Sequence, residues 1–139
     1  MRPSSNNLKR FAYYRLPVIA LCAAIFWQSS YPGIIEEPLF SHDDKVIHFF
    51  TYALLAMLAA RSLQKERPWL PVLKIGFAAA LFACFYGLTD EIHQFFVPLR
   101  TASAMDFAAD CLGSAAGAWF YCAVFLTRFK GDSSHTRNL

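Results

Sequence analysis

The sequence predicts an all-α, polytopic membrane protein, a bundle of four transmembrane helices with both termini on the cytoplasmic side. Three observations predict it. Of 139 residues, 56% are hydrophobic and 17% are charged, against a charged share of about 25% in ordinary soluble domains. Four apolar stretches each reach the roughly 20 residues that a helix needs to cross hydrocarbon with its backbone polar groups satisfied internally. Eleven of the thirteen Lys and Arg residues fall on one side of those stretches and eight of the ten acids on the other, and basic flanks are retained in the cytoplasm.

The stretches run from Phe11 to Ser30, Val46 to Leu63, Leu70 to Asp90 and Ala104 to Phe129. Residues 1–10 then form a cytoplasmic N-terminal segment, 11–129 the membrane domain and 130–139 a cytoplasmic tail. The first stretch follows Arg2, Lys9, Arg10 and Arg15 as a secretory signal does, but Phe26-Trp27-Gln28 stands where small cleavage residues belong. Cys22 follows Leu21, which argues against a lipoprotein site, so this helix is permanent. Cys22, Cys84, Cys111 and Cys122 all lie in apolar runs without a C-x-x-C pair and read as small hydrophobes. The net charge of +3 comes without a basic face interleaved with aromatics, which excludes nucleic acid as a partner. Membrane lipids are the expected surroundings.

Polar residues intrude mainly where the outer ends of helices two, three and four meet. Asp44, His48 and Tyr52 recur every four residues on one stripe, with Lys45 beside them. Helix three closes with Gly87, Glu91 and Gln94 on one face and Asp90, His93 and Gln94 on another. Helix four opens with Asp106, Asp110, Gly113 and Gly117 on one stripe, and Arg100 lies in the short loop before it. Each residue has a plain structural use. Ser41 and Ser103 read as helix caps followed by first-turn acids, Gly113-x-x-x-Gly117 reads as a close helix crossing, and Arg100 can pair with Asp90 or Glu91. Together they place many polar groups at one bilayer depth, where desolvated charge is retained when it pairs or functions.

The strings Asp44-Lys45-x-x-His48-Phe49-x-x-Tyr52 and Tyr86-Gly87-x-x-Asp90-Glu91-x-x-Gln94, then Arg100, Asp106 and Gly113, resemble the VanZ-like family of small bacterial membrane proteins over about residues 16 to 125. The resemblance implies a multi-pass protein of the bacterial inner membrane. It also implies a cell-envelope role at the outer leaflet, since the name-giving member is associated with low-level resistance to the glycopeptide teicoplanin. Two positions depart from the family pattern. Asp110 stands where the family commonly has Asn, and Leu99 where it has Gly between Pro98 and Arg100. The extra carboxyl at Asp110 must be protonated or salt-bridged, with Arg100 and Lys45 as the expected partners.

Three functions remain open at this point. In a binding protein, Lys45 and Arg100 engage an anionic lipid headgroup, cell-wall precursor or glycopeptide, while Asp44, His48, Tyr52, Gln94, Asp106 and Asp110 orient it. Its weakness is the surplus of acids. In an enzyme, Glu91 acts as general base with His48 and Asp90, and the acids and imidazoles offer ligands for a divalent ion. No spacing in the chain specifies a particular metal or cofactor. In a structural protein, the polar cluster glues short helices together and a partner supplies the function.

Overall fold

The structure, a computed structural model, describes residues 5–31 and 43–135, with side chains described for residues 6–31 and 43–125. Every element in it is helical: α1 (Asn6–Ser29), α2 (Asp43–Glu66), α3 (Val72–Phe96) and α4 (Ala104–His135). Four stretches are long and apolar enough to cross a membrane, in α4 the part from Ala104 to Phe125. Their 22 to 25 residues span about 33 to 38 Å at about 1.5 Å per residue, against a hydrocarbon core of about 30 Å. Arg2, Glu36, Glu37, Ser41 and Arg137 lie outside the described residues.

The helix ends differ from the sequence expectation for local reasons. The apolar stretch of α3 is expected to end at Asp90, with the helix closing through Glu91 and Gln94, and the helix runs two residues further, to Phe96. What stops it is Pro98. Val97, before the proline, is extended at φ −91°, ψ 124°, and Leu99 then turns the chain at φ 65°. α2 begins three residues earlier than expected, with Asp43 and Asp44 in its first turn where the helix dipole favours acids. Ser103 caps α4 through a bond from the Asp106 N–H to its Oγ at 3.3 Å. The segments expected to flank the membrane domain are partly helical, since helix begins at Ser5 and continues to His135.

α1 is interrupted by a π turn over Phe11–Arg15, just before Pro17. Proline has no N–H to donate to the carbonyl four residues back, which frees the Tyr13 carbonyl. Arg61 of α2 donates to that carbonyl at 3.4 Å and lies 4.1 Å from the Tyr13 ring centroid. An ion pair between Arg15 and Glu66 joins the same two helices nearby.

The packing is inverted relative to a soluble bundle. Ala53, Ala56, Ala60, Ala79, Ala83 and Ala118 are buried, while Phe77, Phe85, Phe95, Phe96 and Trp119 point outward. Small residues let backbones approach closely, which is how helices associate when lipid is as apolar as leucine. A Cβ at Gly113 or Gly117 would overlap the backbone carbonyl of Phe49 or Ala53 on α2. The expected close crossing is therefore between α4 and α2, and it turns Asp106 and Asp110 toward protein. α1 is peripheral, with Ile25 and Ser29 as its buried residues. It is clipped to α3 by the Tyr86 hydroxyl donating to the Cys22 carbonyl at 2.7 Å.

Candidate functional site

The alternating helix directions bring the start of α2, the end of α3 and the start of α4 to one end of the bundle. There Asp90, Glu91, Gln94, Asp106 and Asp110 are all buried. The His48 ring lies across from Asp110, with Nδ1 2.9 Å from Oδ1. Glu91 accepts the Ser103 N–H on Oε2 at 2.7 Å, which ties the end of α3 to the loop before α4. Gln94 Nε2 donates to Asp90 Oδ2 at 3.1 Å, one helical turn away. Lys45 Nζ sits 2.9 Å from Asp44 Oδ2 and 3.1 Å from Asp106 Oδ1.

These bonds leave buried oxygens over. Glu91 Oε1 and Asp110 Oδ2 have no hydrogen-bond partner. Tyr52 is 1% exposed and lies against the carboxylates of Asp90 and Asp110, its ring 6.3 Å from that of His48. Gly87 makes room for Asp110, since a Cβ there would stand 2.8 Å from Asp110 Oδ2. His48, Glu91 and Asp110 each offer one donor atom, and these three atoms lie within 4.8 Å of one another. A buried polar atom without a partner is costly in a low-dielectric interior, and Glu91 and Asp110 each carry one.

Two expectations about the cations need correction. Arg100 does not pair with Asp90, Glu91 or Asp110. Its guanidinium donates to the backbone carbonyls of Tyr31 at 2.7 Å and Gln28 at 2.6 Å, closing the C-terminal end of α1, where unpaired carbonyls and the helix dipole both attract a cation. Lys45 is held by two carboxylates, and neither is Asp110. The partner of Asp110 is His48. Asp44 is exposed at the rim. His93, weighed as a metal ligand, faces α1 instead, with Nε2 3.1 Å from Ser30 Oγ and its ring stacked on Phe26 at 4.6 Å.

Beside the cluster, a groove of about 410 Å³ runs between the adjoining ends of α3 and α4. Leu88, Ile92, Phe95, Phe96 and Phe107 line it, and Glu91 and Ser103 form its polar side. From sequence Ser103 reads only as a helix cap, and Phe95, Phe96 and Phe107 carry no signal of a groove. A backbone N–H at a cap carries no sequence signal, and aromatics at a helix end read as ordinary lipid-facing residues.

A family model, VanZ/LLP1, matches residues 7–126, which takes in most of every helix and the whole cluster. The chain belongs to this family. No curated protein and no solved structure matches it. Both departures from the VanZ pattern noted in the sequence now have a structural setting. Asp110 is fully buried against His48, and Leu99 occupies the left-handed backbone region that glycine adopts without a steric cost.

Proposed function

We propose that this VanZ-family protein binds an amphiphile of the bacterial cell envelope, its chain in the α3–α4 groove and its polar head against the Glu91, His48 and Asp110 cluster. The observation that carries this reading is the continuity of the two features: Glu91 belongs to both the apolar groove and the acid–imidazole cluster. Binding sites of this kind are mostly apolar, with a few convergent polar groups that fix orientation. The head is rich in hydrogen-bond donors (ammonium, amide or hydroxyl) because four buried carboxylates face it while Lys45 and Arg100 are already engaged. This reverses the anionic headgroup that the two cations suggest in the sequence alone. A lipid-linked cell-wall precursor and a glycopeptide with an apolar appendage both have this two-part chemistry.

The proposed orientation puts both termini in the cytoplasm of a bacterial inner membrane. It rests on the distribution of Lys and Arg, and it opens the groove and cluster to the outer leaflet. A second reading, a hydrolase or transferase acting on an envelope lipid, is favoured by the unpartnered Oε1 of Glu91, a residue that also lines the groove, since such a carboxylate can act as general base.

The test is native mass spectrometry of the full chain in nanodiscs containing phosphatidylethanolamine, whose head carries an ammonium, or phosphatidylglycerol. Retained phosphatidylethanolamine is the expected result, with occupancy cut at least tenfold in Glu91→Gln and in Ala102→Phe, Ala102 being part of the groove lining. Equal retention of both lipids, or wild-type occupancy in Ala102→Phe, overturns the reading.

A further inference from the structure

We propose that His48, Glu91 and Asp110 hold a divalent transition-metal ion, one protein ligand from each of α2, α3 and α4. The three donor atoms lie within 4.8 Å of one another. Around a zinc ion with bonds of about 2.0 Å, ligand atoms stand about 3.3 Å apart, so side-chain movements of about an ångström close the triangle. One edge is already there, since His48 Nδ1 and Asp110 Oδ1 are 2.9 Å apart.

The independent observation is the set of unmet oxygens. Glu91 and Asp110 are 6% and 0% exposed, and each has one carboxylate oxygen without a hydrogen-bond partner. The Tyr52 hydroxyl, also buried, lies against the carboxylates of Asp90 and Asp110. If these residues served only to join helices, pairing them with one another would satisfy them. The supporting bonds fit a ligand set: the Ser103 N–H fixes Glu91 through Oε2 and leaves Oε1 for the ion, as the outer partners of metal-binding carboxylates do.

Charge points the same way. Asp90, Glu91, Asp106 and Asp110 carry four negative charges when ionised, and Lys45 carries one positive charge nearby. With a neutral histidine the net charge is −3, and a divalent ion brings it to −1. One imidazole with two carboxylates suits Zn²⁺ or Mn²⁺ better than Mg²⁺ or Ca²⁺, which take oxygen ligands. Three protein ligands leave a coordination position open, and Glu91 places it at the head of the groove. The metal site does not depend on the amphiphile reading.

The test is titration of chelator-stripped, detergent-purified full chain with Zn²⁺ or Mn²⁺ alone, by calorimetry and thermal unfolding, with Mg²⁺ for comparison. Expected are one Zn²⁺ per chain, a rise in unfolding temperature on binding, and at least tenfold weaker Mg²⁺ binding. Glu91→Gln and His48→Gln each weaken Zn²⁺ binding at least 100-fold, while Lys74→Ala at the opposite end leaves it unchanged. Cobalt absorption of the wild-type chain supplies a readout that needs no variant to fold, since His/carboxylate ligation gives visible bands that zinc displaces. Absence of saturable 1:1 binding and of those bands in folded wild-type protein overturns the proposal, and so does unchanged affinity in Glu91→Gln. Ala102→Phe separates the two readings, because it blocks the groove and leaves Zn²⁺ binding intact.

Discussion

Replacing His48 by alanine leaves the Asp110 carboxylate buried with neither oxygen partnered, since His48 holds Oδ1 and Oδ2 already has no partner. Breaking a buried charged pair from one side costs about 3–5 kcal/mol, because the remaining charge stays desolvated. Asp110→Asn removes that charge, keeps the shape that fits against Gly87 and costs about 1–2 kcal/mol. Once Asp110 is neutral there is no orphaned charge, so the double variant is more stable than the sum of the singles by about 1.5–3 kcal/mol. The assay is reversible unfolding in mixed micelles, read by circular dichroism, with a chelator present so that metal binding does not contribute. A loss below about 1 kcal/mol in His48→Ala, or a cycle additive within about 0.5 kcal/mol, refutes the reasoning.

Leu99→Gly stabilises the same transition by about 0.5–1 kcal/mol, because a non-glycine residue pays about 1–2 kcal/mol at positive φ and glycine's extra unfolded-state freedom offsets part of the gain. Arg100→Ala removes two charge-assisted bonds to the end of α1 and costs about 1–2 kcal/mol. Limited proteolysis then cuts faster after α1, with Zn²⁺ affinity unchanged, and a Zn²⁺ loss would show that Arg100 belongs to the site. A green fluorescent protein fused after Leu139 is fluorescent and an alkaline phosphatase fused there is inactive, as cytoplasmic termini require; active phosphatase would reverse the orientation.

Much of this was legible in the sequence because the bilayer constrains it so tightly. Apolar length marks the four spanning helices, and Gly113 with Gly117 marks the crossing that turns Asp110 inward. The convergence of His48, Glu91 and Asp110 also follows, since helices of alternating direction bring the two sides of adjacent loops to one end. The pairing within that end was not legible. Which carboxylate meets which cation depends on how each helix is rotated, and the expected partners of Asp110 were Arg100 and Lys45 rather than His48. Residue type alone points Arg100 to an acid, because the pull of the Gln28 and Tyr31 carbonyls has no signature in the sequence. The end of α3 at Phe96, two residues past Gln94, is set by the extended Val97 before Pro98 and the turn at Leu99.

The most direct test of the central claim, that the polar cluster and the groove form one ligand site, is an experimental density map of the protein in lipid nanodiscs. Elongated density lying between Phe95, Phe96 and Phe107 and ending within hydrogen-bonding distance of Glu91 is the predicted result. A groove closed by its own side chains, with Glu91 turned away from His48 and Asp110, would contradict it.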